Sequence, residues 1–274
     1  MKNDLHPSPL PGVPLVSVVI PVLNGARTLG DCLQSLIRQT FKSFEVVLVD
    51  GNSTDGSQEL AKRLLTESRI SFVLESKTDS GVYEAMNRGI ELSKGEWLYF
   101  LGSDDQLFSP TALEEIEPHL KEEGMDLLFA RVTTDERPAD GARRVDLQYF
   151  KKSNICHQGI LYRRNLFQVL GNYDPRYRVY ADWDFNFRCM VAGVPFKSVP
   201  QTVARYSKNG LSSRVGDPLF HREMGWLESR YRFRFSRGLS RWKWFPVAMW
   251  KSFRLALGTR VTGKLQPYLE KWKS

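Results

Sequence analysis

The chain is poor in cysteine: Cys32, Cys156 and Cys189 are the only three in 274 residues, odd in number and widely spaced. This excludes a disulfide framework and a zinc-ligand pattern and suits reduced thiols. No apolar run approaches the roughly 20 residues of a membrane-spanning helix, and there is no low-complexity tract or internal repeat. The stretch from Met1 to Pro14 mixes Lys2, Asp4 and several prolines. It lacks the apolar centre of a secretory signal, so a cytoplasmic protein is expected. Acidic residues are nearly missing from the last fifty positions, where Glu228 and Glu270 face twelve Lys and Arg. The remaining residues hold 27 basic and 29 acidic side chains, so the net charge of +8 is carried by the tail. That asymmetry bears on partners rather than on fold.

What is present is a regular alternation. Val16–Ile20 is a β-branched run, Thr28–Gln39 places Leu29, Leu33, Leu36 and Ile37 on one helical face, and Phe44–Val49 is a second strand. A helix is expected over Ser57–Leu65, a strand over Ile70–Leu74, a helix over Gly81–Leu92 and a strand over Trp97–Leu101. Strands alternating with helices predict a parallel sheet covered on both faces, with ligands beyond the carboxyl ends of the strands. Further on, strands are expected at Asp126–Thr133, Cys156–Tyr162 and Phe196–Ser207, and a helix at Asp182–Ala192. A loop-rich stretch runs to Arg144, and the chain beyond about Asp217 is helical in pattern.

The strand ends are the most polar part of this pattern. They read Pro21-Val22-Leu23-Asn24-Gly25, Asp50-Gly51-Asn52-Ser53, Glu75 to Gly81, and Gly102-Ser103-Asp104-Asp105. Two adjacent carboxylates closing a buried strand are costly unless a counter-ion meets them, and a divalent cation carrying phosphate supplies one. A plain acidic turn is the bland alternative. Asp79, Ser80 and Gly81 precede a helix whose backbone N–H groups are expected to favour an anion.

Six motifs in fixed order carry a resemblance. They are Ser-Val-Val-Ile-Pro-Val-Leu-Asn from Ser17, Val-Leu-Val-Asp-Gly-Asn-Ser-Thr-Asp-Gly-Ser from Val47, and Asp-Ser-Gly-Val-Tyr-Glu-Ala-Met-Asn-Arg-Gly from Asp79. Then come Ser103-Asp104-Asp105, Gly171-Asn172-Tyr173-Asp174 and Ala181-Asp182-Trp183-Asp184. Over roughly Ser17–Ser213 the chain resembles the family two inverting nucleotide-sugar glycosyltransferases of the GT-A fold, of the bacterial surface-polysaccharide type. The resemblance implies an α/β, Rossmann-like, mostly parallel sheet covered by helices. It implies a catalytic domain over 16–216 (nucleotide-binding half about 16–105, acceptor-binding half about 106–216), which leaves a tail over 1–15 and, from charge and pattern, a helical basic extension over 217–274.

The same resemblance implies site residues. Asp50 would contact the base, with Pro21, Asn24, Asp79, Gly81 and Asp104 completing the nucleotide site. Asp105 would bind Mg²⁺ or Mn²⁺ at the diphosphate, with Ser103 standing at the first position of the family's acidic motif. Asp182 would be the general base, although Ala181 replaces the Glu often found before it; Asp184 is the alternative base. His157, Gln158, Trp183 and Asp184 would line the sugar and acceptor pocket. His221 is a candidate further metal ligand, and Arg205 and Lys208 are candidate phosphate contacts beside a loop over Tyr206–Ser213 that would close on the donor.

In the tail, Arg230, Arg232, Arg234 and Arg237 alternate with Tyr231, Phe233 and Phe235, and Trp242, Phe245, Met249, Phe253 and Leu257 follow at helical spacing. Aromatic rings among cations over about 226–274 suit an anionic membrane surface; a solvated helical hairpin on the catalytic domain is the alternative. No nucleic-acid-binding module is recognisable. The expected protein is a metal-dependent transferase of sugar from a nucleotide diphosphate, most simply UDP, to a glycan or polyprenyl-linked acceptor, peripheral at the inner face of the cell membrane. A nucleotidyltransferase is a rival, but its basic Gly-rich loop is poorly matched by Leu23-Asn24-Gly25-Ala26-Arg27. The other rival is a non-catalytic membrane-associated nucleotide-sugar-binding protein.

Overall fold

Apolar β-branched segments separated by amphipathic helices build a central eight-stranded sheet in the order β3-β2-β1-β4-β7-β6-β8-β5. The computed structural model describes residues 12–134, 145–207 and 216–239, with side chains described as far as residue 232. The first half follows the sequence periodicity closely. β1 (Val16–Val22), α1 (Ala26–Ile37), β2 (Phe44–Asp50), α2 (Ser57–Ser68), β3 (Phe72–Ser76), α3 (Val82–Leu92) and β4 (Trp97–Phe100) alternate. β1 pairs in parallel with β2 and β4, and β2 with β3. β1 and β2 are buried along their whole length, as continuous apolar runs require. β3 starts two residues later than expected. Arg69 leaves α2 in the left-handed conformation (φ 61°), and the backbone N–H of Ile70 donates to Ser68 Oγ, so pairing begins at Phe72.

The second half is mixed. It comprises β5 (Gln106–Leu107), α4 (Ala112–Leu120), β6 (Leu127–Thr133), α5 (Leu147–Phe150), a 3-10 turn at His157–Gly159, β7 (Ile160–Arg163), α6 (Asn165–Leu170), α7 (Ala181–Ala192), β8 (Phe196–Arg205) and α8 (Pro218–Leu239). β7 runs antiparallel to both β4 and β6, β5 antiparallel to β8, and β6 parallel to β8. Parallel pairings outnumber antiparallel ones, and the antiparallel ones lie beyond β4. The short β5, α5 and α6 were not expected from the sequence; pieces of two to six residues are too brief to show a period.

Helix-to-sheet distance is set by one glycine. A Cβ on Gly89 of α3 would sit 2.3 Å from Val19 Cγ1 of β1, so only glycine lets α3 close onto the sheet. The packed body that holds the sheet continues past residue 216. Phe220 at the start of α8 is fully buried against Tyr177, Tyr180 and Trp183, and Tyr177 donates to Glu223 at 2.6 Å. One compact unit extends through Glu228, and residues 229–274 form another, described only as the part of α8 up to Leu239. Among the described residues no helix is long and apolar enough to cross a membrane. All three cysteines are free.

Candidate active site

Asp50 is the last residue of β2 and is fully buried. Its Oδ2 accepts three donors: Ser53 N at 3.0 Å, Gln58 Nε2 at 2.8 Å and Ser76 Oγ at 2.7 Å. These draw on β2's own turn, α2 and the end of β3. Its Oδ1 is buried with no hydrogen-bond partner. A buried carboxylate with one oxygen saturated and the other unmatched is costly unless an outside donor meets it. Asp79 lies across Gly51 from this residue, its Oδ2 3.1 Å from where a Gly51 Cβ would be. Burial pushes the Asp79 carboxyl up despite Arg88 at 3.4 Å.

Three of the expected nucleotide contacts are used differently. Just before α3 the chain's own carboxylates take two backbone donors: Gly81 N donates to Asp79 Oδ1 at 3.1 Å and Ser80 N to Glu84 Oε2 at 2.8 Å, while the first turn of the helix carries no side-chain cap. An external phosphate at this helix start would also meet the carboxylates of Asp79 and Glu84. Asn24, at φ 52°, spends its side-chain oxygen on Thr54 N and takes Ser53 Oγ on its own N–H, tying the first rim loop to the second. Pro21 lies buried inside β1 beside Val49, below the rim.

At the end of β4 the two carboxylates differ. Asp105 is buried, 2% exposed. Its Oδ2 accepts Gln158 Nε2 at 2.7 Å and Gly102 N at 3.1 Å, and its Oδ1 accepts Ser207 N at 2.8 Å. Gln158 thus helps to orient Asp105. Asp104 is half-buried; desolvation and then the charge of Asp105 raise its carboxyl above the usual range. His157 is close enough to favour ionised Asp104, and its Nε2 is buried without a hydrogen-bond partner. Beneath, the Cys32 thiol contacts Gly102 O at 3.4 Å and is held protonated by burial and by the charges of Asp105 and Asp104.

These groups fit a hard divalent cation. Two crowded carboxylates, of which Asp104 has its carboxyl pushed up by burial and by Asp105, supply oxygen donors and excess negative charge. Among the described residues no three His, Cys, Asp or Glu converge into a closed cage. Mg²⁺ and Mn²⁺ sites commonly use one or two carboxylates and complete their shell from phosphates and water. His221 is not part of this group: it is exposed and stands edge-on to Tyr180 at 5.5 Å. Arg205 pairs in register with Gln106, one residue past Asp105, and is exposed on that rim. Lys208 and the loop from 208 to 215 lie outside the described residues.

Asp182 opens α7 and is 5% exposed. Tyr83 Oη lies 2.7 Å from its Oδ1, and Asn154 Nδ2 donates to its Oδ2 at 2.9 Å. Both act on it as an acceptor, the form a base requires. Asp184 is poorly placed as an alternative base: it is 1% exposed and ion-paired with Arg188 at 3.0 Å. That guanidinium also donates to the carbonyl oxygens of Leu170, Gly171 and Asn172. Two positions apart on one helix, the two aspartates face different surroundings. Trp183 donates to Phe150 O at 2.6 Å, part-exposed beside Asp182.

A sheet ordered 3-2-1-4 with acidic strand ends is compatible with several nucleotide-binding folds, and likeness to known proteins decides between them. The sequence profile of Glycosyl transferase family 2 matches residues 17–172. This chain belongs to that family. It is 43% identical over 213 residues to a PGL/p-HBAD biosynthesis glycosyltransferase of Mycobacterium tuberculosis, covering 76% of this chain and 82% of the relative. Among solved structures, Staphylococcus aureus TarS 1-349 in complex with UDP-GlcNAc superposes with TM-score 0.67 at 19% identity, over 79% of this chain and 66% of that one. The mannosyltransferase PcManGT of Pyrobaculum calidifontis, in complex with GDP-Man and Mn²⁺, superposes with TM-score 0.58 at 18% identity, over 93% and 83%. The fold is GT-A, and the chain is a glycosyltransferase.

Sequence reasoning overlooked the groups that hold this glycosyltransferase's acidic residues in place. Asn87 exchanges two hydrogen bonds with the backbone of Tyr173, at 2.9 and 3.0 Å. Arg88 reaches Lys77 O at 2.9 Å and Asp50 O at 3.4 Å. Tyr83, Asn87 and Arg88 all belong to the Asp79–Gly89 motif, so their presence in one run was the available signal. Asn154 and Ser207 carried none.

Proposed function

We propose that this glycosyltransferase moves a sugar from a UDP-sugar, with Mg²⁺ or Mn²⁺, to a hydroxyl of a glycan or lipid-linked saccharide in surface polysaccharide assembly. The observation that carries this is Asp182, a nearly buried carboxylate presented as an acceptor by Tyr83 and Asn154 at the helix start beside the strand-end rim. Three relatives support the reading in different ways: the mycobacterial enzyme is named for PGL/p-HBAD biosynthesis, TarS was solved with UDP-GlcNAc, and PcManGT with GDP-Man and Mn²⁺.

Roles follow from chemistry. Asp50 Oδ1 would take the base edge of the nucleotide, and Asp104 with Asp105 would hold the cation. The cation would neutralise charge building on the departing diphosphate. Asp182 would receive the acceptor proton as the acceptor oxygen bonds to the anomeric carbon from the face opposite the leaving group. The bond from that carbon to the diphosphate breaks, the nucleoside diphosphate leaves, and the configuration inverts. His157 and Trp183 would border the sugar. The basic aromatic stretch over about 226–274 would rest on anionic lipid at the cytoplasmic face; of its described aromatic side chains Trp226 is exposed and Tyr231 buried.

The test is turnover of a panel of UDP- and GDP-sugars with Mn²⁺, with membranes supplying acceptor. Wild type should hydrolyse or transfer from at least one UDP-sugar. Asp105→Ala should lose the metal response, and Asp182→Ala should lose turnover by about 10³-fold while still binding donor. Silence with every donor would overturn the reading. The tail is tested by co-sedimentation with phosphatidylglycerol vesicles, which truncation after Leu239 should abolish; equal sedimentation refutes it.

A further inference from the structure

The Tyr83 hydroxyl stands between two acceptors, 2.7 Å from Asp182 Oδ1 and 2.6 Å from the carbonyl oxygen of Val179. A phenol has one proton and serves only one of them fully at a time. Burial, and then the charge of Asp182, push the Tyr83 hydroxyl well up, so it keeps that proton. The other carboxylate oxygen has no such freedom. Tyr162 Oη donates to Asn186 Oδ1 at 2.8 Å, Asn186 Nδ2 to Asn154 Oδ1 at 3.0 Å, and Asn154 Nδ2 to Asp182 Oδ2 at 2.9 Å. This chain of donors runs one way and ends on Oδ2, so a change in protonation has to be answered at Oδ1. Among the described residues, Tyr83 on α3, Tyr162 on β7 and Tyr173 before α7 feel the charge of Asp182, and burial keeps all three neutral.

We propose that Tyr83 is a positioning residue that lets Asp182 pass from accepting to holding the acceptor's proton without moving. This rests on Asp182 being the base. While Asp182 is ionised, Tyr83 donates to Oδ1. Once the acceptor O–H has broken and its proton resides on Asp182, Oδ1–H donates to the Tyr83 oxygen and Tyr83 turns its own proton onto Val179 O. The 2.7 Å contact survives with its direction reversed, and no proton or electron pair is lost.

pH-difference infrared spectroscopy of the full chain tests this without a substrate. The protonated-carboxyl band that Asp182→Asn removes should, in Tyr83→Phe, rise at a pH about one unit higher, a tenfold gain in proton affinity. In the donor panel, kcat should fall about tenfold with donor KM unchanged. An unmoved band midpoint in folded Tyr83→Phe overturns the proposal. Should that variant lose its near-UV circular dichroism, 3-fluorotyrosine at position 83, a stronger donor, must move the midpoint to lower pH, and no movement overturns it equally. Asp182→Asn with full turnover would instead overturn the base assignment and leave the coupling standing, so the two failures are distinct.

Discussion

The acidic residues of the rim are held in two different ways on the two sides of β4. On the β1–β3 side, partners are mainly the turns and helices next to the strand ends. Asp50 is bound by Ser53, Gln58 and Ser76, Asn24 by Ser53 and Thr54, and Asp55 Oδ2 receives Ala26 N at 2.9 Å. Beyond β4, the partners come from remote parts of the chain. Asp105 is bound by Gln158 and Ser207, 53 and 102 residues away, and Asp182 by Tyr83, 99 residues away. The proposed nucleotide side is thus tied together largely between neighbouring βα units, by partners no more than 30 residues apart, whereas the proposed catalytic side exists only when distant segments have closed on one another. The second arrangement spends more of its polar groups on long-range order, and it should break more sharply.

The largest effect is expected at Arg188. Its guanidinium is 4% exposed, pairs with buried Asp184 and satisfies three carbonyl groups at the Gly171–Asn172 turn. Replacing it by Leu strands a charge and three acceptors in the interior, which costs about 3–5 kcal/mol. Urea unfolding followed by tryptophan fluorescence measures this. On the nucleotide side, Asn24→Ala removes one exposed turn contact and should cost about 1 kcal/mol or less. Equal losses at the two sites would erase the contrast between the two halves.

Next is Gln158→Ala, which removes a donor to Asp105 while leaving the carboxylate itself. Loss of such an outer partner lowers metal affinity about 10- to 100-fold. Mn²⁺ titration by calorimetry in the presence of UDP reads it directly. Unchanged affinity would mean that Gly102 N and Ser207 N suffice to orient Asp105.

This division also explains what could be read from the chain. β1, β2, α3 and β4 were visible because their apolar periods are long and their ends are marked by Asp, Asn and Gly. The family motifs singled out Asp50, Asp105 and Asp182 as candidates. The contacts of Gln158, Asp184 and Ser80 were not legible, because each is made with a side chain whose partnership local pattern does not reveal: Asp105, Arg188 and Glu84 respectively. Spacing correctly separated the faces of Asp182 and Asp184. It could not say that one face held an ion pair and the other an unusual pair of neutral donors.

The smallest expected effect is at Asp104, where function and stability oppose one another. Burial and Asp105 raise its carboxyl above the ordinary value, so the folded state binds this proton more tightly than the unfolded chain does. The linked stability is present at low pH and is lost as pH rises through the raised value, leaving an unfavourable charge at pH 7. In chelator-treated protein, Asp104→Asn should therefore be more stable than wild type at pH 7. The gain should be a few tenths of a kcal/mol, because partial exposure screens the charge. It should vanish as pH falls below about 4, where wild type is itself neutral. Added Mn²⁺ with UDP should reverse the order, since only wild type offers both carboxylates to the cation and ligand binding stabilises whichever form binds more tightly. A wild type that is the more stable at pH 7 without metal would show that the crowding of Asp104 against Asp105 carries no cost. The excess charge at the end of β4 would then give no reason to expect a cation there.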